Sequence, residues 1–341
     1  MKRLLICAAA SLALYLVLFG LVLERPLSLG PLLLEITQKQ ARLATLPSPK
    51  LVILAGSNGP YSHSCAVMGP MLGMPCENAG IAVGIGLDEI FVRYAPTLHA
   101  GDVVYVPMEL EQYAMTAAQY RALVDGAMLL RHDPAMLWHL PLGRDLGTIF
   151  CCTLADGLEA IAEMPLSALG VRNGAKMLAA EYNAQGDRVD NNLAGADKTL
   201  LSGPARVEPS AAAIQDGYGT KLIARFVAQE RAKGVVVIGG WPTEFVDARI
   251  SGAARAAVRG VYGAEFLSLP GKSLYPRRDF FNSEDHLAKP CQFRHSMAVA
   301  VGLGRMLGRK VMAPSKAAEA MAATCRTLAI SSHIAARGQG A

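Results

Sequence analysis

The chain has 341 residues, of which 52% are hydrophobic and 18% charged, so it is neither disordered nor fibrous. This length suits one large α/β domain with an insertion. The net charge of +5 comes from scattered basic residues, which gives no indication of a nucleic-acid-binding surface.

The N-terminus has the pattern of a membrane segment. Lys2 and Arg3 precede an unbroken apolar run from Leu4 to Leu23. A helix of this length crosses a hydrocarbon core of about 30 Å, whereas a cleavable signal has an apolar region of only about 7 to 15 residues. We expect residues 1–25 to form an uncleaved single-pass helix in the inner membrane, with the following domain in the periplasm. A cleaved signal peptide, which would release an exported domain, is the alternative.

A stalk over 26–49 and an α/β domain over 50–310 follow the anchor in this interpretation. Short apolar runs with helical patterns between them predict a parallel sheet covered by helices on both faces. The long helix-rich stretch between the third and fourth runs predicts a helical insertion over about 112–210, and 311–341 forms a C-terminal tail. The predicted strands cover 51–55, 74–77, 103–108, 235–238 and 265–269.

The cysteines suit an exported protein. Cys7 lies in the apolar segment, and the other six form an even set that allows up to three disulfides. Cys65 and Cys76 are close enough in sequence to close one loop. No cysteine-histidine spacing typical of zinc is present, so we expect no metal.

Polar candidates follow the predicted strands where the carboxyl ends of a parallel sheet bind ligands. Ser57 follows the first strand, Asn78 and Gly80 the second, Glu109 the third, and His286 the last. A serine becomes a nucleophile when a base takes its proton, and acyl transfer needs N–H donors for the oxyanion. These positions predict a serine-histidine site, with the Ser57 and Gly80 N–H groups and the Asn78 amide as oxyanion donors.

Four segments resemble the successive blocks of the SGNH (GDSL-like) hydrolase superfamily: LVILAGSN, ENAGIAVGIG, GDVVYVPMELEQY and DFFNSEDHL. More narrowly, they resemble extracytoplasmic members that accompany polysaccharide modification, such as alginate or cellulose acetylation. The resemblance covers about 50–110 and 235–307. It implies a flavodoxin-like doubly wound fold, Ser57 as nucleophile, Gly80 as oxyanion donor and His286 as base.

Two positions depart from the family pattern. Glu109 lies in the stretch where the family has an oxyanion-binding asparagine, and a carboxylate there would repel an oxyanion unless protonated or turned away. The family's aspartate lies three or four residues before the histidine, where this chain has Ser283 and Asn282. Asp285 would have to fold back to orient His286, although an asparagine can also hold an imidazole.

Each candidate has a simpler interpretation. Ser57 alone would as readily cap a helix, and His295 competes with His286 as the base. Glu109 could be solvated or paired with an arginine. Trp138 and Trp241 could stack on a sugar, although burial is the default for tryptophan.

The sequence therefore predicts an acetyltransferase or esterase that acts on a cell-surface or secreted polysaccharide through an acyl-Ser57 intermediate, without a cofactor. Its expected partners are the polysaccharide, the membrane, and a membrane-bound acyltransferase or polysaccharide synthase complex. The alternative is a non-catalytic SGNH-fold accessory protein of such a complex.

Overall fold

The computed structural model describes residues 1–24, 29–170, 174–204 and 207–325. It is a mixed α/β structure around one parallel sheet in the order β2-β1-β3-β4-β6, with β5 and β7 paired separately. The predicted parallel sheet and its five strand positions are confirmed. The strands are β1 Leu51–Ile53, β2 Cys76–Asn78, β3 Val103–Val106, β4 Val236–Gly240, β5 Glu244–Phe245, β6 Phe266–Leu267 and β7 Leu274–Tyr275.

Helices cover both faces of the sheet. They are α1 Lys2–Val17, α2 Leu29–Thr45, α3 Asn58–Ser62, α4 Cys65–Leu72, α5 Leu87–Tyr94, α6 Leu110–Ala114, α7 Ala117–Arg121, α8 Gly126–His132, α9 Leu142–Ile149, α10 Leu154–Ala168, α11 Gly174–Glu181, α12 Lys198–Ser202, α13 Ala211–Asp216, α14 Tyr218–Ala232, α15 Gly252–Tyr262 and α16 Lys289–Met306. Residues 316–325 are also helical.

The central strands β1 and β3 are buried along their whole length and carry no charged residue. Along β1, Leu51 and Ile53 face one hydrophobic cluster, and Val52 faces the other. Along β3, Val103 and Val104 separate in the same way. This two-sided burial explains why the sequence shows continuous apolar runs rather than alternation.

The N-terminal apolar segment is helical. Lys2–Val22 has a mean hydropathy of 2.5, and its most apolar window is wholly unburied. It is long and apolar enough to cross a membrane, a test that a signal sequence also passes.

The expected stalk is wrong for most of its length. Helix α2 packs onto the domain, with Ile36 and Leu43 inside the larger hydrophobic cluster. Its apolar stripe looks like an isolated amphipathic helix in the sequence, but it has a partner in the helical layer over the sheet. Residues 29–45 therefore belong to the folded domain.

The predicted helical insertion lies between β3 and β4 and is built largely from α6 to α13. Three disulfides join Cys65 to Cys76, Cys151 to Cys152, and Cys291 to Cys325, while Cys7 is free. The Cys65–Cys76 staple is thus confirmed. The bridge at Cys325 ties the first part of the predicted tail to α16, and residues 326–341 of that tail lie outside the described residues.

A buried ion pair joins the starts of β1 and β3. Lys50 Nζ lies 2.9 Å from Asp102 Oδ2, and both side chains are at most 1% exposed. The Lys50 N–H also donates to Asp102 Oδ1 at 3.0 Å. Asp102 thus fixes the register of the two strands that carry the site described below.

We expect Asp102→Asn to lower the free energy of unfolding by about 3 to 5 kcal/mol, because it leaves the Lys50 ammonium buried without its counter-charge. Chemical denaturation of the full chain in detergent measures this. The control is Asp247→Asn, which breaks an exposed pair with Arg277 and should cost less than about 1 kcal/mol. Equal losses in the two variants would contradict the prediction.

Candidate active site

Ser57 occupies the turn between β1 and α3. Its backbone is helical, with φ −65° and ψ −23°, and its side chain makes no capping hydrogen bond to α3. Its Oγ instead lies 2.8 Å from His286 Nε2. The helix-cap interpretation of Ser57 is therefore wrong, and the serine and histidine that the sequence paired are in hydrogen-bond contact.

His286 is held by a second hydrogen bond on the other side of its ring. The Asn282 Oδ1 lies 2.6 Å from His286 Nδ1. An amide oxygen only accepts, so Nδ1 carries the proton and the Nε2 lone pair faces the Ser57 hydroxyl. This tautomer is the one that a general base needs.

Asp285 does not hold the position that the sequence analysis gave it. Asn282 is the residue at Nδ1, while Asp285 is buried on the inner side of the loop next to the partly exposed His286. The Asp285 carbonyl oxygen accepts a hydrogen bond from the Ser62 hydroxyl at 2.7 Å and lies 3.0 Å from the Thr243 hydroxyl oxygen. The contribution of Asp285 is thus to anchor the loop through its main chain.

Tyr61 stacks on the imidazole. The ring centroids of Tyr61 and His286 are 3.8 Å apart, with the planes only 6° from parallel. The Arg188 guanidinium lies 5.0 Å from the centre of the Tyr61 ring. Burial raises the pKa of Tyr61, which keeps its hydroxyl protonated. Sequence reasoning missed Tyr61, although its position one helical turn after Ser57 placed it within reach.

Glu109 lies beneath the serine turn and is fully buried. Its two carboxylate oxygens accept the N–H groups of Gly56, at 2.9 Å, and Asn58, at 2.8 Å. A Cβ at Gly56 would come within 2.6 Å of the carboxylate, so the close approach requires glycine. Glu109 is therefore not the substrate-binding residue that the sequence analysis expected. It holds the backbone of the serine turn through the N–H groups on either side of Ser57.

The predicted oxyanion donors separate into two groups. The Asn78 amide donates to the carbonyls of Gly59 and His63, at 3.0 and 3.1 Å, so it supports α3 rather than facing a substrate. Gly80 packs against the turn, since a Cβ there would lie 2.7 Å from the Gly56 oxygen. Within the described part of the chain, the Ser57 and Gly80 N–H groups donate to no protein acceptor. These two groups remain as the candidate oxyanion donors.

A buried polar network connects the serine turn to the histidine loop. The Asn58 amide donates to the Pro107 carbonyl at 2.9 Å, and its oxygen accepts from the Thr243 hydroxyl at 2.8 Å. The Ser62 and Thr243 hydroxyls, 2.6 Å apart, both reach the Asp285 carbonyl. Segments that are far apart in sequence are thereby held in one geometry, which no local pattern in the sequence could reveal.

His295, the competing base, is hydrogen-bonded to other side chains and not to Ser57. It is buried with its Nε2 3.2 Å from His63 Nε2 and its Nδ1 2.7 Å from the Tyr275 hydroxyl. Burial lowers the pKa of His63 to about 4 and that of His295 further below its usual value. Both rings are neutral core residues. Trp241 is also buried and donates to Ser268 Oγ, as expected by default.

One cluster has the composition of a metal site. Asp279 lies near Cys291 and Cys325, but these two cysteines form a disulfide and offer no thiolate. The cluster therefore does not fit a metal ion.

No family model matches the chain, and no curated protein or solved structure shows significant similarity to it. The geometry around Ser57 and His286 is thus the main basis for assigning a function.

Burial, together with the nearby Glu111 carboxylate, raises the pKa of Glu109 to about 7. Its unfolded pKa is about 4.3, so the folded state binds this proton more tightly. The resulting stabilisation is complete below pH ~4.3 and is lost as the pH rises through about 7.

We expect the free energy of unfolding of wild type, relative to a Glu109→Gln variant that cannot titrate, to fall by roughly 1 to 3 kcal/mol between pH ~4.5 and ~8. Denaturation series at several pH values measure the difference. Glu265→Gln, at a half-exposed carboxylate, is the control. A difference between wild type and Glu109→Gln that does not change with pH would count against a buried, proton-binding Glu109.

Proposed function

We propose that this chain is an SGNH-type acyltransferase or esterase that uses Ser57 to move an acyl group, acetyl in the first instance, on a cell-surface or secreted polysaccharide. The observation that carries the proposal is the hydrogen-bonded series Asn282–His286–Ser57: Asn282 Oδ1 lies 2.6 Å from His286 Nδ1, and His286 Nε2 lies 2.8 Å from Ser57 Oγ. Ser57 follows the end of β1, and the strand order of the sheet agrees with a flavodoxin-like fold once β6 is counted as the fifth strand.

The contacts among Asn282, His286 and Ser57 support acyl transfer in two half-reactions. His286 Nε2 takes the proton as Ser57 Oγ attacks the acyl carbonyl, and the Ser57 and Gly80 N–H groups stabilise the oxyanion. The donor's alcohol leaves with the proton from His286, which forms acyl-Ser57. An acceptor hydroxyl, from a sugar or water, then gives its proton to His286 and attacks the ester. His286 passes that proton to Ser57 Oγ as it leaves, which restores the serine hydroxyl and the neutral histidine.

Asn282 sets the expected rate. Its neutral oxygen fixes the tautomer and orientation of His286, but it supplies no negative charge to stabilise the imidazolium that forms in each half-reaction. We therefore propose an enzyme that positions its base well and turns over slowly. Slow hydrolysis suits an enzyme whose acyl intermediate must survive until the polymer hydroxyl arrives.

Two features support a polymeric substrate outside the cytoplasm. Ser57 and His286 are both partly exposed, so a chain can reach them from the surface. The partly exposed Phe281 ring stacks near Tyr61, 6.0 Å between centroids, and offers an apolar face beside the histidine for a sugar ring. The apolar helix α1 would anchor the domain on the periplasmic side of the inner membrane, beside a membrane-bound acyltransferase or polysaccharide synthase complex that supplies acyl groups or polymer.

One observation favours the alternative of a non-catalytic accessory protein. Glu109 replaces the asparagine of the family pattern and faces the turn, which leaves two oxyanion donors where the family has three. The intact contact between Ser57 and His286 favours catalysis.

Ser57→Ala should abolish hydrolysis of p-nitrophenyl acetate by the full chain, by about 10³-fold or more, and remove acetyl groups from the polymer in cells. Ser251→Ala, which removes only the cap of α15, is the matched control. Polymer acetylation that is unchanged in the Ser57→Ala strain would instead establish the accessory role.

Asn282→Asp should raise kcat/KM for p-nitrophenyl acetate by about tenfold or more, because a carboxylate stabilises the imidazolium. In a serine protease the aspartate both holds the imidazole tautomer and stabilises the imidazolium, and here Asn282 already supplies the first of these. Asn282→Leu, which removes the acceptor, should lower the rate. If the aspartate variant is no faster than wild type, His286 does not act as the base.

A further inference from the structure

The insertion exposes an unusual amount of apolar surface. Outside the N-terminal apolar segment 1–22, most of the large hydrophobic side chains that are exposed in the described residues lie between 138 and 169. The most exposed residue of that stretch is Trp138, at 89%. Contiguous exposed apolar surface of this kind normally marks an interaction site.

The exposed side chains form two stripes at helical spacing. The α9 stripe is Leu142, Leu146 and Phe150, and the α10 stripe is Leu154, Leu158 and Ile161. The other sides of α10 carry small buried residues and charged residues instead. Gly157 and Ala160 are buried, while the spacing of Glu159 and Glu163 places them away from the stripe. We call these two stripes and Trp138 the apolar platform.

The platform is continuous with the membrane helix. The hydroxyl of Tyr15 accepts the Cys152 N–H at 2.9 Å and lies 3.3 Å from the Cys152 oxygen, between the two stripes. Phe19 Cζ packs 3.5 Å from where a Cβ of Gly157 would lie. On the neighbouring helix α8, Arg131 donates to the Gly20 carbonyl at 3.1 Å.

These contacts set the depth of the platform. Tyr15 precedes Leu23, the end of the apolar run, by eight residues, which is about 12 Å along a helix. The half-thickness of a hydrocarbon core is about 15 Å. If α1 crosses the bilayer, the Cys152 segment lies at the depth of the outer half of the membrane, and the side chains on either side of it cannot all be in water.

We infer that the apolar platform is embedded in the periplasmic leaflet of the bilayer, so that the insertion is a second, peripheral membrane contact of the domain. The inference rests on the proposed membrane anchoring by α1. Helix α10 pairs its interior backbone groups along 15 residues and begins with a capping box of Thr153 and Asp156, which lowers the cost of burial in lipid. Trp138 has the amphipathic ring typical of the interface. Two contacts with the membrane would fix the orientation of the domain, and with it the height of Ser57 above the lipid.

The two tryptophans of the chain provide the test. A Trp241→Phe variant of the full chain keeps only Trp138, and a Trp138→Phe variant keeps only Trp241, which is 3% exposed. Each is reconstituted into phosphatidylethanolamine/phosphatidylglycerol vesicles with or without brominated acyl chains. We expect brominated lipid to quench Trp138 severalfold while iodide does not, and neither quencher to affect Trp241.

The outcomes separate the possibilities. Flotation with the vesicles reports the anchor, so a chain that does not float contradicts the proposed anchoring itself. A chain that floats but whose Trp138 is quenched by iodide has the platform in water, which overturns the inference alone. Blue-shifted Trp138 emission that neither quencher affects would mean that a protein covers the platform, which also overturns it.

A charge placed in the stripe gives an independent result. In the Trp241→Phe background, Leu158→Glu should abolish quenching by brominated lipid and make Trp138 accessible to iodide. Val246→Glu, at an exposed valine outside the platform, should leave both signals unchanged. Equal behaviour of the two variants would contradict a lipid-facing stripe.

Discussion

The carboxylate of Glu109 beneath the serine turn is the interaction on which the rest of the site depends. Its two oxygens accept the N–H groups of Gly56 and Asn58, on both sides of Ser57, and so fix the backbone of the turn. The Ser57 hydroxyl makes no capping hydrogen bond and faces His286. Glu109, which replaces an oxyanion donor of the family pattern in the sequence, therefore supports the serine turn instead.

The histidine loop is held by neutral groups. Asn282 fixes the Nδ1 side of the ring, Tyr61 covers one of its faces, and the Ser62 and Thr243 hydroxyls fasten the loop through a carbonyl. Such a site has good geometry and little charge. Orientation alone supports general-base catalysis, but the missing carboxylate removes the electrostatic stabilisation of the imidazolium, so geometry and rate need not go together.

Burial also explains the polar groups that take no part in the site. His63 and His295 have their pKa values lowered by burial and pair with each other in the core, although His295 competed with His286 as the base in the sequence. Helix α2 likewise looks like a stalk until its partner layer is known. In each case, the residue types alone suggest a functional or exposed element, and the tertiary packing turns that element into part of the core.

The sequence by itself determined the parallel α/β sheet, the apolar N-terminal helix and the helical insertion, and it predicted Ser57 and His286 at one edge of the sheet. These follow from local periodicity and from the rule that the carboxyl ends of parallel strands share an edge. Only the tertiary structure decided that Asn282 rather than Asp285 holds the imidazole, that Glu109 and Asn78 face the turn, and that α2 joins the core. These choices depend on which way a side chain points and on contacts between distant segments, and neither is encoded in the spacing of residues along the chain.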